Sequence, residues 1–300
     1  MKSEAIVELG KPLQTIESET PIPKGKEVLL KITHSGVCHS DVHIHDGYFD
    51  LGGGNKLPVG AMLNLPHTMG HEIEGIVASV GPDVTDIEIG SNVVAYPWIG
   101  CGKCATCKAG DEHYCNAPRQ LGIQLPGGFA DYCIVPDSKY VLDYEGIRPG
   151  LAATYMCSGL TAFGALKKFV NISDDDHILI MGLGGVGMMG LQFARALFNC
   201  KILAADIDPN KLQAAKGAGA DEVYDTSDEL SIQKLLEDTG GGVKATADFV
   251  GAEKTVQYSL DSTKKGGQVV VVGLFGGAFQ MPIPMYVSYT QLTLPTKMIV

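Results

Sequence analysis

Positive charge is scarce in this 300-residue sequence: 23 Lys and Arg stand against 34 Asp and Glu, a formal net charge of −11. That balance argues against nucleic acid or an anionic membrane surface as the main partner. Long apolar runs are also missing. No stretch approaches the roughly 18 residues that a membrane-spanning helix needs. Residues 1–10 carry two Glu and no apolar core, so they do not read as a signal peptide, and a cytoplasmic location is expected. Only 19% of residues are charged while 45% are hydrophobic, which excludes a disordered chain. There is no internal repeat, low-complexity tract or long charge run.

The eight Cys are therefore expected in a reducing compartment, where they read as metal ligands or catalytic groups before they read as disulfides. The 38 Gly predict tight turns and places where backbone comes close to a ligand. Length alone suggests two domains, at about 150 residues each. The first half is strand-like, with short β-rich runs at 26–33, 75–81 and 92–96 between Gly and Pro, as in a small barrel or sandwich. The second half alternates. Strand candidates at 177–181, 201–205, 222–224, 246–250 and 268–272 are separated by helical stretches at 186–198, 211–216, 232–237 and 255–260. This rhythm predicts an α/β domain, a doubly wound parallel sheet with helices on both faces. The expected division is residues 1–155, residues 156–287, and a short remainder at 288–300.

Gly182-Leu183-Gly184-Gly185-Val186-Gly187 matches G-x-G-x-x-G between a predicted strand and a predicted helix. The first Gly permits the tight turn, the second admits a pyrophosphate to the backbone, and the third lets helix pack on strand. The helix N-terminus then offers free N–H groups to the anion. Asp206 ends the next predicted strand, 24 residues after Gly182. A carboxylate there can accept hydrogen bonds from the adenosine ribose and would repel a 2′-phosphate, favouring NAD over NADP.

Cys101, Cys104, Cys107 and Cys115 form C-x₂-C-x₂-C-x₇-C in a Gly-rich loop. Four thiolates close a tetrahedral shell around Zn²⁺ and leave no position for chemistry, so the role is structural. An iron–sulfur cluster also takes four Cys, but its usual sequence cue ends in Cys-Pro, whereas Cys115 precedes Asn116. Cys38, His71 and Cys157 are candidates for a second site, since Cys₂His is one of the catalytic zinc shells. Spacing alone does not bring the three together; a buried Cys is commonly a small hydrophobe.

These segments together resemble the zinc-dependent medium-chain alcohol dehydrogenase family. Gly36-Val37-Cys38-His39-Ser40-Asp41, Gly70-His71-Glu72, the four-Cys lobe, Cys157-Ser158-Gly159-Leu160-Thr161-Ala162 and the Gly182–Gly187 turn occur in the family's order and spacing. The resemblance implies a GroES-like β-rich catalytic domain followed by a Rossmann domain, two zinc ions per chain, NAD, and a small alcohol or aldehyde as substrate. It implies that Cys38, His71 and Cys157 bind catalytic zinc, with Glu72 behind the metal and Asp41 orienting the ligand imidazole. Ser40 would receive the alcohol proton and His43 would pass it on, a task suited to imidazole. His39, Thr161, Gly182, Gly184, Gly185, Val186, Gly187, Asp206, Lys211 and Val272 would contact the cofactor. His34, His45, His67, His113 and His177 read as surface or turn residues, and Cys133 and Cys200 as buried thiols.

The segment 50–56, with Pro97-Trp98-Ile99-Gly100-Cys101 and Gln120-Leu121-Gly122-Ile123, resembles the subgroup containing 6-hydroxyhexanoate dehydrogenase. It implies a longer primary alcohol, with an ω-hydroxy acid as one candidate. The end departs from the family. Residues 287–297 resemble translated adapter sequence, so a non-native tail, a missing last Rossmann strand and an exposed sheet edge are expected. Family members form homo-oligomers through that region, which puts assembly of this chain in doubt. A truncated chain could hold zinc and nucleotide without catalysis; a zinc-free reductase is a third alternative, opposed by the intact ligand sets.

Overall fold

The computed structural model describes residues 1–52, 54–274 and 276–279, and the backbone of 290–293. The described chain divides into two compact units: Met1–Phe49 with Leu57–Cys157, and Asp50–Lys56 with the described residues from Ser158 onward. Among the described residues no helix is long and apolar enough to cross a membrane.

The first unit is antiparallel. Strands β1 (Lys2–Ile6), β2 (Gln14–Glu17) and β3 (Val28–Gly36) precede helix α1 (His39–Asp46). In chain order there follow the two-stranded sheet β4 (Tyr48–Gly52) with β5 (Asn55–Pro58), of which Asp50–Lys56 belong to the second unit, then β6 (His67–Thr68), β7 (Glu72–Val80) and β8 (Asn92–Ala95). Helix α2 (Ala105–Lys108), strands β9 (Tyr132–Val135) and β10 (Val141–Asp143), and helix α3 (Ala152–Thr154) complete it. The main sheet has the order β10-β8-β7-β3-β9; a second has β2-β1-β6. Val28, Leu30, Ile73, Val77, Val93 and Ala95 alternate along their strands and form one core. Ile6, Ile44, Met69, Trp98, Ile123 and Cys157 form another, so a predicted metal ligand borders an apolar cluster.

In the second unit, helix α4 (Leu160–Leu166) leads to β11 (His177–Met181), α5 (Gly185–Leu197), β12 (Lys201–Asp206), α6 (Pro209–Gly217) and β13 (Glu222–Asp225). Helix α7 (Ser231–Thr239), β14 (Val243–Asp248), α8 (Glu253–Ser262) and β15 (Thr263–Val271) follow. The strands are parallel in the order β13-β12-β11-β14-β15. Neighbouring residues of β11 bury on opposite faces. Ile178 and Ile180 pack with Leu166, Leu191, Leu212 and Ala215 of α4, α5 and α6. Leu179 and Met181 pack with Leu235 of α7 and Tyr258 of α8. A strand covered by helices on both sides is apolar throughout, which is why 177–181 shows no polar alternation. Each such side chain contributes about 1.5–3 kcal/mol by burial.

The expectation that the sheet ends with β15 is corrected. Strand β16 (Thr290–Thr293) pairs in parallel with Gly267–Val270, so among the described residues the sheet extends one strand beyond β15. Its four residues include two β-branched Thr, a composition that suits a strand. The rest of the expected non-native tail lies outside the described residues.

His67 is also corrected: it is buried at 3% exposure, with Nε2 3.2 Å from the Gly122 carbonyl. A single carbonyl in the fold supplies the partner, which local sequence does not reveal. His34 keeps half its side chain exposed but bonds the buried Glu74. Cys133 and Cys200 are buried free thiols.

Glycine decides the turn after β11. Gly182 has φ +83°, and a Cβ on Gly187 would meet the Gly182 carbonyl oxygen at 1.7 Å. Gly187→Ala is therefore expected to destabilise the protein by about 1–3 kcal/mol, read as a lowered urea midpoint at unchanged slope.

Candidate active site

Cys38 is the residue before α1, at the end of β3, and His71 is the residue before β7. Strands β3 and β7 pair antiparallel, with Gly36 opposite Glu72, so both residues leave the same end of the sheet. Cys157 comes from a separate segment, the π-helical turn Tyr155–Gly159 that follows α3. Such turns widen the helix by one residue and recur at functional sites. Here the carbonyl of Met156 accepts the Trp98 indole N–H at 2.9 Å. The ring of Trp98 lies 5.7 Å from that of His71.

These three side chains converge. One ligand atom each from Cys38, His71 and Cys157 lie within 4.8 Å of one another, and the two sulfurs are 4.0 Å apart. Asp41 organises two of them. Its Oδ2 accepts the Cys38 N–H at 2.9 Å and its Oδ1 lies 3.1 Å from His71 Nδ1. That bond leaves His71 Nε2, which is buried and has no hydrogen-bond partner. Glu72 is 2% exposed, and its carboxylate occupies the space that a Cβ on Gly36 would need, 2.0 Å from Oε2. Gly36 is thus a site residue that the sequence reading quoted without a role.

Electrostatics at this cluster favour positive charge. A hydrogen bond from Cys157 holds the Cys38 thiol down at about 3, aided by His71 and the Ser40 backbone N–H and opposed by burial. The Cys157 thiol is pushed well up by Cys38, by burial and by the Glu72 and Asp41 charges. Burial alone would lower His71, but Asp41 and Cys38 outweigh it and raise the ring to about 10. With only one of the two sulfurs ionised in this balance, a cation among them would let Cys157 ionise as well.

The lobe cysteines converge as well. Cys101, Cys104, Cys107 and Cys115 offer four sulfurs within 4.8 Å of one another, with separations of 3.9, 3.4 and 3.8 Å for three of the pairs. Backbone N–H groups of Cys101, Cys107 and Ala117 point at sulfur. A Cβ on Gly100 would meet Cys107 Sγ at 2.5 Å, so the chain passes the cluster only as glycine. Glu112 ties the lobe down: it accepts Gly100 N–H at 3.1 Å, the Tyr140 hydroxyl and Lys139 Nζ at 2.6 Å.

In the second unit, Asp206 is 8% exposed and accepts the Leu183 N–H at 2.7 Å and the Ile207 and Asp208 N–H groups at 2.8 and 3.0 Å. Lys211 Nζ is 3.9 Å from it. The predicted residues Gly182, Gly184, Gly185, Val186 and Gly187 form the turn into α5 beside this carboxylate. Gly190 was not anticipated. A Cβ there would meet the Phe249 ring at 2.6 Å, and its position three residues after Gly187 on one helical face was the available signal. Val272 follows β15, donating its N–H to Asp248, and Thr161 lies in α4. In the first unit, Ser40 and His43 stand three apart on α1, and His39 at its start lies 4.8 Å ring to ring from His43.

A family profile described as the alcohol dehydrogenase GroES-like domain matches residues 24–145, and one described as zinc-binding dehydrogenase matches residues 185–297. The chain is 38% identical over 289 residues to the NAD-dependent alcohol dehydrogenase of Saccharolobus solfataricus, covering 95% of this chain and 82% of that protein. It is 33% identical over 288 residues to an alcohol dehydrogenase of Geobacillus stearothermophilus, covering 95% and 81%. The crystal structure of the alcohol dehydrogenase from the archaeon Aeropyrum pernix superposes with a TM-score of 0.83 at 28% identity, covering 96% of this chain and 82% of that one.

The chain belongs to the zinc-dependent medium-chain alcohol dehydrogenase family.

Membership makes zinc the ion to test against both clusters. Two thiolates at about 2.3 Å from Zn²⁺ in a tetrahedron lie about 3.8 Å apart, close to the sulfur separations in each cluster. The donors fit: four sulfurs close one shell, and two sulfurs with the partnerless Nε2 of His71 leave the other with an open position. Elemental analysis is expected to find two zinc per chain, falling to one in Cys157→Ser and to one in Cys104→Ser.

Proposed function

We propose that this dehydrogenase oxidises a primary alcohol with NAD at a zinc held by Cys38, His71 and Cys157. The observation that carries the reading is the convergence of those three ligand atoms, with Asp41 engaging Nδ1 of the imidazole and leaving the buried Nε2 to ligate. The four-Cys lobe takes the structural zinc, because its shell has no position left for substrate. When bound, zinc supplies Lewis-acid polarisation of the substrate oxygen and NAD supplies the hydride acceptor.

The chain's own groups handle the proton and the cofactor. Ser40 Oγ takes the hydroxyl proton, and His43, three residues along α1, passes it towards solvent. Asp41 keeps His71 in the tautomer whose Nε2 can ligate. Glu72 stays behind the ligands as a buried anion that strengthens the site's demand for a cation. In the second unit the Gly182–Gly187 turn and the α5 N-terminus receive the pyrophosphate. Asp206 accepts from the adenosine ribose and, as a buried anion, repels a 2′-phosphate. Lys211, Thr161 and Val272 complete that unit's cofactor contacts. The segment 50–56 supports a longer primary alcohol, with ω-hydroxy acids the first series to try.

A panel of alcohols, followed by NADH absorbance, tests the reading. Cys38→Ser and His71→Ala should abolish turnover while NADH still binds by calorimetry. Ser40→Ala should lower kcat by about 10²-fold or more. Full activity in protein stripped of metal would overturn the assignment.

Asp206→Asn should raise the KM for NAD about tenfold with less effect on kcat, the cost of a lost charge-assisted hydrogen bond.

A further inference from the structure

Cys38 and His71 are held by adjacent strands, but Cys157 is not. It arrives on residues 144–157, which add no strand to the sheet beyond β10. A carboxylate that the chemistry does not use meets this segment. Glu74 lies two residues beyond Glu72 on β7, hence on the same face, and is 1% exposed. Its two oxygens accept the Gly150 N–H at 2.9 and 3.1 Å. The Tyr144 hydroxyl donates to Oε1 at 3.2 Å, and His34 Nδ1, from the paired position on β3, lies 3.0 Å from it. Gly150 has φ +81°, and a Cβ there would sit 3.4 Å from the His34 ring, so the backbone closes tightly over the carboxylate.

Gly150 stands two residues before α3. Ala152 and Ala153 of that helix are buried, and it packs on β3, β7 and β8. The helix runs directly into the turn that carries Cys157. At the far end Trp98 holds the Met156 carbonyl. The segment is therefore pinned once just before α3 and once beside the ligand itself.

We propose that Glu74 is a positioning residue for Cys157: by anchoring Gly150 and Tyr144 to β7 it sets where the third ligand stands, and so how firmly the site retains its metal. The proposal rests on the reading of Cys38, His71 and Cys157 as a zinc site. Truncation at Glu74 removes the carboxylate that accepts the part-buried Gly150 N–H, and the segment that loosens is the one bearing Cys157.

The test is zinc release from the full chain to a chromophoric chelator, together with the visible spectrum of the Co²⁺-substituted protein. Wild-type protein should release two zinc in two phases, one of which Cys157→Ser removes. Glu74→Ala should speed that phase about tenfold and alter the cobalt spectrum, while the phase belonging to the four-Cys lobe stays unchanged. Glu74→Gln, whose amide oxygen still accepts from Gly150, should restore most of the retention. Should Glu74→Ala fail to fold, Tyr144→Phe combined with His34→Ala, at two partly exposed positions, should speed the same phase about threefold. Wild-type release rates in folded Glu74→Ala, or in the double variant, would overturn the proposal, as would Glu74→Gln releasing as fast as Glu74→Ala. A wild-type zinc count that Cys157→Ser does not lower would instead overturn the zinc reading.

Discussion

The arrangement around Cys38, His71 and Cys157 depends on acidic groups that can all ionise together only beside a cation. Cys38, Cys157, Asp41 and Glu72 are gathered with a single imidazole. Anions taken out of water at this density cannot all remain ionised unless positive charge joins them. The response of His71, carried up to about 10 by Asp41 and Cys38 against the pull of burial, shows the same demand met by a proton. A dipositive ion satisfies it more fully, and the donor set is the kind that zinc takes. The metal is therefore part of the structural argument as well as of the chemistry.

That demand explains several residues that do no chemistry. Gly36 is a glycine because the Glu72 carboxylate fills the space its side chain would take. Asp41 serves two ligands at once through the Cys38 N–H and His71 Nδ1, fixing the first turn of α1 and the ring tautomer with one carboxylate. Trp98 packs near His71 and holds the carbonyl beside Cys157. The lobe follows the same logic in a simpler form. Four sulfurs collect around a single point, N–H groups of the loop soften their charge, and Glu112 fastens the lobe to Lys139 and Tyr140.

The parallel sheet answers a different constraint, close approach of backbone. The Gly182 turn, the contact of Gly187 with it, and the notch at Gly190 filled by Phe249 all remove side-chain volume where α5 meets β11 and β14. Asp206 stabilises the turn through the Leu183 N–H, so the carboxylate expected to face a ribose also builds the loop beside it.

Much of this was legible in the residues. The apolar run 177–181, the glycine spacing and the Cys spacing of the lobe are local patterns, and the elements they predicted fall where the structure has them. Local pattern works there because period, turn chemistry and short-range ligand spacing are properties of contiguous chain. It could not bring Cys38, His71 and Cys157 together, since they lie 33 and 86 residues apart and only the pairing of β3 with β7 and the packing of α3 close those distances. It read His67 as a surface or turn residue because its partner is a carbonyl 55 residues away. It passed over Glu74, whose partners come from residues 34, 144 and 150. It ended the sheet early, because whether a short polar segment becomes an edge strand depends on a free neighbour to pair with. The sequence by itself determined which chemistry the chain can carry, through the kinds of donor it holds; the tertiary structure alone decided which donors share a charge, because that depends on distance in space.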